Sequence, residues 1–242
     1  MSPAWLGRRK AETATGEGRL SAAAIPGAPI PDEEMQLRVV WRIVALLLDY
    51  PTQQTLDMLD DLRAAVGSLP APAGPALGSF VDHCRRTAPS ELAVCYVETF
   101  DLRRRNCLHL SYYAYGDTRK RGMALLRFKH AYRAAGVELG SHELPDHLTV
   151  VLEFAATVDP VVGRRLLIEY RPVVELLRLS LQDSGSPYRA VLEGLCATLP
   201  ELSIADRRRV AELAAQGPPE EEVGLEPFAM DPVLQDQLGG RR

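Results

Sequence analysis

The chain has 242 residues, of which 46% are hydrophobic and 25% are charged, and its formal net charge is -4. This composition suffices for one hydrophobic core and does not have the excess of basic residues that is typical of nucleic-acid-binding proteins. The longest apolar run, residues 43–48, is too short to span a membrane. The four cysteines form no CxxC pair and follow no secretory signal, so we expect a reducing, cytoplasmic compartment.

The first half of the chain predicts an unstructured start followed by short helices. Residues 1–32 are rich in Ala, Gly and Pro without periodicity, which indicates a disordered N-terminal extension. Apolar residues then recur at helical spacing over 37–48, and Pro51 is expected to end that helix. Thr52 is predicted to cap the next helix, and Ser90 a later one.

The second half continues the helical pattern. A helix is predicted over 118–135, with Thr118 as its N-cap, and another is expected to begin at Pro145, the favoured residue type for a first helical position. Pro172 lies inside a long apolar pattern and predicts a kink or break near Arg171. Ser186 followed by a proline predicts a further helix start.

These elements predict an all-α fold, a single-domain helical bundle of about eight to ten helices over residues 33–215. Residues 216–242 are acidic and rich in Pro, which indicates a mostly disordered tail. The only strand-like alternation lies at 108–113, and one such run cannot form a sheet by itself.

Basic residues are concentrated in the centre of the chain, since residues 101–133 contain nine Arg or Lys and two Asp. Arg119 and Arg121 fall in the first turn of the predicted helix, where the helix dipole already presents positive charge. Arg121 also falls on the apolar side of that helix. Either nearby carboxylates neutralise this charge internally, or an acidic or carbonyl-rich partner binds it. The internal candidates are Glu98, Asp101 and Asp117.

The residue types of this segment allow three chemical alternatives to protein binding. Cys107 and His109 are one residue apart, but no two further ligands follow at metal spacing, so neither a zinc site nor an iron–sulfur site is favoured. A nucleophilic Cys–His pair would need an oxyanion site that no motif marks. RNA binding by the basic residues 101–133 is the remaining alternative, although no nucleic-acid motif is present. We therefore expect no cofactor, no metal and no catalytic residues.

Several motifs in this region match one known family in order and spacing. They are Phe100-Asp101 with Arg104 and Leu108; Gly116-Asp117-Thr118-Arg119, Arg121-Gly122 and Ala124; Tyr132 and Gly136; Glu143-Leu144-Pro145-Asp146-His147-Leu148; and Leu152-Glu153-Phe154. Over residues 35–200 the chain resembles the NarJ family, the delta-subunit assembly chaperones of respiratory nitrate reductase, within the redox-enzyme maturation chaperones. Thr149 departs from the proline that usually follows the motif at residues 143–148.

The resemblance implies a cytoplasmic, all-helical chaperone in nitrate assimilation, not an enzyme. Such a protein binds the unfolded or apo catalytic (alpha) subunit of nitrate reductase, notably its N-terminal segment. It keeps this client competent for insertion of the molybdenum cofactor and an iron–sulfur cluster, and it is not part of the mature enzyme. A different molybdenum oxidoreductase is the alternative client. The resemblance implies neither nucleic-acid binding nor stable membrane insertion. The expected client-peptide contacts are Arg104, Asp117, Arg119, Arg121, Tyr132, Glu143, Asp146 and His147.

Overall fold

The computed structural model describes residues 32–116, 118–140 and 143–217, and the backbone of residues 6–8. These residues form twelve α-helices and one two-stranded antiparallel ribbon. The helices are α1 (Asp32–Leu47), α2 (Gln53–Asp57), α3 (Leu59–Gly67), α4 (Ala73–Arg86), α5 (Pro89–Tyr96), α6 (Tyr112–Tyr115), α7 (Arg119–Ala134), α8 (Leu148–Thr157), α9 (Pro160–Glu169), α10 (Arg171–Asp183), α11 (Arg189–Cys196) and α12 (Ile204–Gln216). The strands are β1 (Leu6–Arg8) and β2 (Val137–Leu139); a π-helical turn covers Val97–Asp101 and a 3-10 turn covers Arg104–Asn106.

The predicted all-α class is confirmed, but the number of helices is larger than expected. The difference comes from very short helices such as α2 and α6, which have five and four residues. The predicted tails lie outside the described residues, apart from the ends of α1 and α12 and the β1 backbone, which pairs with β2 in antiparallel register. The boundaries at 33 and 215 therefore stay predictions. Within the described ranges, no helix combines the length and apolarity that crossing a bilayer requires.

The core forms where α1 packs along α8, with α4 and α11 on one side and α9 on the other. Trp41 in α1 is buried, and its indole N–H donates to Thr198 Oγ1 at 2.9 Å, so this polar group is satisfied inside the core. Helices α8 and α9 approach closely at Gly163, where a Cβ atom would lie 2.4 Å from Ala155 Cα. Only glycine fits at this contact without moving one of the two helices.

Proline positions and one cap in the sequence predicted helix boundaries correctly. Thr52 caps α2 by accepting the Thr55 N–H with its side chain. The break expected at Pro172 is confirmed, because α9 ends at Glu169 and α10 begins at Arg171 with the proline in its first turn.

Two other predicted helix starts were wrong. Ser90 is not a cap, since α5 begins one residue earlier at Pro89, the residue type that suits the first helical position. Helix α11 begins at Arg189, three residues after Ser186. The carbonyls of residues 186–188 instead accept the backbone N–H groups of residues 189–191, three positions later, in successive turns.

Candidate functional site

Residues 108–110 of the basic central region meet residues 146–148 through backbone hydrogen bonds. The Leu110 N–H donates to the carbonyl of Asp146 at 2.9 Å, and the Leu148 N–H donates to the carbonyl of Leu108 at 2.9 Å. His109 and His147 form the isolated antiparallel bridge between these contacts. The strand-like alternation at 108–113 thus becomes one short bridge, and the chain turns into α6 at Tyr112.

Asp146 lies at the centre of this junction and is 0% exposed. Its carboxylate accepts the Ser111 backbone N–H at 3.1 Å and the Ser111 hydroxyl at 2.5 Å, and it faces His109 Nδ1 at 3.3 Å. The prediction that Pro145 begins a helix was wrong, because α8 begins at Leu148. Asp146 therefore accepts hydrogen bonds from residues 109–111 and does not lie in the first turn of α8.

Hydrogen bonding keeps the Asp146 carboxylate ionised. Burial acts to raise the pKa of Asp146, but the hydrogen bonds from His109 and Ser111 outweigh burial and lower it below its ordinary value. This geometry does not resemble a nucleophilic triad. The Ser111 hydroxyl donates directly to the carboxylate and is 0% exposed, so no histidine is placed to take its proton for attack on a substrate.

His147 is held neutral beside this carboxylate. Its ring lies 4.9 Å from the ring of His109 in an edge-to-face arrangement, and its Nδ1 is 2.6 Å from Thr149 Oγ1. Burial, followed by the nearby charge of His109, lowers the pKa of His147 to about 4, while Asp146 acts weakly in the opposite direction. His147 is therefore part of the junction rather than a solvated surface histidine.

Tyr132 fixes the same loop from helix α7. It is 1% exposed, and its hydroxyl donates to the Pro145 carbonyl at 2.7 Å. Its ring packs on Phe154 of α8, with centroids 4.6 Å apart. Neither Tyr132 nor Asp146 reaches the surface. The structure therefore gives both residues a positioning role for the backbone of 145–147.

Glu143, by contrast, is exposed on the rim of a cavity of about 310 Å³. This cavity lies between the end of α7, strand β2 and the loop that precedes Pro145. Its wall combines basic, acidic and apolar side chains: Lys129, Tyr132, Arg133, Val137, Glu138, Leu139, Glu143 and Leu144.

The predicted arginines of α7 point in different directions. Arg119 is exposed in the first turn, and the Arg121 guanidinium lies 5.4 Å from the centre of the Tyr112 ring, a cation–π distance. Thr118 occupies the N-cap position, but its hydroxyl donates to the Tyr115 carbonyl at 2.7 Å and does not cap the helix. Asp117 lies outside the described residues.

Arg104 belongs to a second surface, which we name the arginine groove. Arg103, Arg104 and Arg105 line one wall of this cavity of about 600 Å³, and side chains of α10 and α12 line the other. The groove shares no lining residue with the cavity near Glu143, so the predicted contacts Arg104 and Glu143 lie at different surfaces.

Hydrogen bonds from several neighbouring segments hold the 3-10 turn that contains Arg104 and Arg105. Asn106 is 1% exposed; its Nδ2 donates to the Thr99 carbonyl at 2.8 Å, and its Oδ1 accepts the Ser180 hydroxyl at 2.7 Å. The Tyr113 hydroxyl donates to the Arg105 carbonyl at 2.6 Å.

Sequence reasoning missed the partners of the predicted residues. Ser111 contacts Asp146 and His109 contacts His147, and the sequence does not indicate either pair because each contact joins segments far apart in sequence. Tyr112 contacts Arg121 from the neighbouring helix α6. Among the described residues, no group of three or more His, Cys, Asp or Glu side chains is arranged to hold a metal ion.

Comparison with known proteins adds a family context. The family model described as nitrate reductase delta subunit matches residues 67–192. The chain is 41% identical over 169 residues to the nitrate reductase-like protein NarX of Mycobacterium tuberculosis, which is 70% of this chain and 26% of NarX. It is 33% identical over 199 residues to the nitrate reductase molybdenum cofactor assembly chaperone NarJ of Escherichia coli K12, 81% of each chain. It is 28% identical over 170 residues to a probable NarJ of Bacillus subtilis, 70% of this chain and 92% of that one. The chain thus spans about a quarter of NarX but most of both NarJ proteins.

Proposed function

The chain belongs to the nitrate reductase delta subunit family, and from this premise we propose that it is an assembly chaperone for a respiratory nitrate reductase. In this proposal the chain binds the apo catalytic subunit, notably its N-terminal segment, and holds it competent for insertion of the molybdenum cofactor and an iron–sulfur cluster. It leaves before the enzyme is mature and acts in the cytoplasm. The observation that carries the proposal is the similarity to E. coli NarJ, which extends over 81% of both chains.

The chemistry of the polar junction supports a binding role without catalysis. Its carboxylate is buried and hydrogen-bonded to a serine and a histidine that fix backbone segments, and the described geometry leaves no substrate-facing nucleophile there. Such a network makes the loop at 145–147 rigid, and a rigid loop presents its exposed neighbours in one arrangement.

Helix α7 offers the apolar anchors that a client segment needs. Arg119, Met123 and Leu126 follow one another at helical spacing on its solvent side, and Met123 and Leu126 are 62% and 56% exposed. An amphipathic client helix would place apolar side chains on Met123 and Leu126 and a carboxylate or carbonyl on Arg119. We name these three residues the α7 stripe and propose that it forms the centre of the client-binding surface.

Gene deletion tests the biological role. In a nitrate-respiring host without a related chaperone, deletion should leave the catalytic subunit synthesised but inactive and short of molybdenum cofactor. Complementation with the wild-type gene should restore both the activity and the cofactor content. Normal nitrate reductase activity in the deletion strain would overturn the assembly role.

Calorimetry with a synthetic peptide tests the surface. The peptide is the N-terminal segment of the catalytic subunit from the same organism, and the variant is Met123→Ser with Leu126→Ser. We expect the variant to lose about tenfold or more in affinity, since two exposed apolar anchors are removed. Ile204→Ser is the matched control, because Ile204 is 75% exposed on α12 outside this surface. Equal affinity of all three proteins would remove the α7 stripe from the proposal.

A further inference from the structure

The arginine groove has the chemistry of a site for an acidic peptide with apolar side chains. Arg103, Arg104 and Arg105 are exposed along one wall. Leu176, Leu179 and Leu213 of α10 and α12 supply the apolar part of the opposite side. One acidic residue, Asp183, also lines the cavity, so carboxylates of a bound segment are favoured at the arginine wall and not opposite it.

We infer that the occupant of the arginine groove is the acidic C-terminal segment of the same chain, residues 218–242. This inference concerns the chain by itself and does not rest on the proposed chaperone function.

The point of attachment brings this segment to the groove. Helix α12 ends at Gln216, and the next residue, Gly217, is itself part of the groove lining. Glu220, Glu221 and Glu222 follow Gly217 by only three to five residues. An extended chain covers about 3.3–3.6 Å per residue, so these carboxylates can reach roughly 10–18 Å from Gly217. That reach matches the dimensions of a cavity of about 600 Å³.

The charges of the two surfaces are complementary. Residues 218–242 contain six acidic residues, and their only two basic residues are the last two of the chain, Arg241 and Arg242. Within the described ranges, no carboxylate forms an ion pair with Arg103 or Arg105. Pairing between a guanidinium and a carboxylate is charge-assisted and frequently bidentate, which favours a glutamate run over a neutral segment.

The apolar part of the segment fits the rest of the groove. Val223, Leu225 and Phe228 follow the glutamate run directly. When the glutamates contact the arginines, the side chains of Val223, Leu225 and Phe228 come within reach of the apolar side of the groove. Because a short covalent connection gives an effective concentration on the order of millimolar, weak contacts are sufficient to keep the groove occupied.

Photo-cross-linking in the full-length protein tests the inference. The probe is p-benzoylphenylalanine introduced at position 228, and cross-linked peptides are identified by mass spectrometry. We expect the main products to join residue 228 to α10 or α12 within one chain, with a yield that is independent of protein concentration and falls at high salt. Products that join two chains, or that are spread over the whole surface, would overturn the inference.

Charge reversal supplies the matched comparison. Arg103→Glu with Arg105→Glu should lower the cross-link yield about fivefold, whereas Lys129→Glu with Arg133→Glu, an equal change at the cavity near Glu143, should leave it unchanged. A triple variant with Glu220→Lys, Glu221→Lys and Glu222→Lys should lower the cross-link yield when the arginines are unchanged. In the Arg103→Glu, Arg105→Glu background, the same triple substitution should restore the yield. Residues 220–222 follow the end of α12 in the sequence, so the glutamate variants keep the test valid if the arginine variant fails to fold. Equal yields in all variants would refute the charge pairing.

Discussion

The Asp146 junction and the arginine groove use charge in opposite ways. At the junction a carboxylate is 0% exposed and is satisfied by Ser111 and His109. In the groove, Arg103 and Arg105 are exposed, and the buried atoms nearby belong to Asn106 and to the backbone. Buried polar groups are costly to leave unpaired, whereas exposed charges contribute little to stability. Substitutions at the junction should therefore change folding, and those in the groove should change recognition.

The largest effect is expected for Asp146→Ala. The substitution leaves the buried Ser111 N–H and hydroxyl without their acceptor, so the free energy of unfolding at pH 7 should fall by about 2–4 kcal/mol. Urea denaturation measures this change. Asp146→Asn, which keeps one acceptor oxygen, should lose less. A loss below about 0.5 kcal/mol for the alanine variant would show that the junction does not stabilise the fold.

The next effect is a pH dependence due to His147, whose pKa is lowered to about 4. In the unfolded chain this imidazole takes up a proton near pH 6.5, while in the folded chain it stays neutral. The stability that comes from keeping His147 neutral is thus fully present above pH 6.5. As pH falls toward 4, the free energy of unfolding decreases by up to about 3 kcal/mol.

Denaturation curves of the wild type and His147→Gln at pH 7 and pH 4.5 measure this contribution. The difference in stability between the two pH values should be smaller in the variant. Asp146 does not produce the same signal, because its lowered pKa places its own loss of stability at more acidic pH, below its ordinary value. Parallel pH profiles would exclude a protonation penalty at His147.

Arg121→Ala should affect recognition more than stability. We expect the affinity for the client peptide to weaken by about 1–3 kcal/mol, the scale for losing charge-assisted hydrogen bonds. The cation–π contact with Tyr112, which this substitution removes, contributes about 0.5–1 kcal/mol to stability. Lys120→Ala, an exposed neighbour in the same turn, is the control. A large loss of stability with unchanged affinity would make Arg121 a structural residue.

The smallest effect on stability is expected in the arginine groove. Arg103→Ala with Arg105→Ala should change the free energy of unfolding by less than about 0.5 kcal/mol, since only the backbone carbonyl of Arg105 is used by Tyr113. Asn106→Ala, in the same turn, should cost about 1–3 kcal/mol because it leaves the Thr99 carbonyl and the Ser180 hydroxyl without partners. Similar losses in both variants would remove the distinction between the two regions.

The sequence by itself determined the helical class and many helix positions. Periodicity predicted α1 and α7, and Pro172 predicted the break between α9 and α10, because these signals act over a few residues along the chain. The buried residues of α7, Ala124, Phe128 and Tyr132, recur every four positions, as expected for one face of a helix.

Only the tertiary structure decided what the polar residues do. Pro145 and Asp146 have the local pattern of a helix start, but hydrogen bonds to Ser111, 35 positions away, hold them in a loop and move the start of α8 to Leu148. Likewise, Arg103, Arg104 and Arg105 line a groove only because α10 and α12 pack beside the turn that contains them. Local sequence patterns indicate only which secondary structure a short stretch of one or two turns prefers. The partner of a buried carboxylate or the opposite wall of a groove is set by packing between segments far apart in sequence.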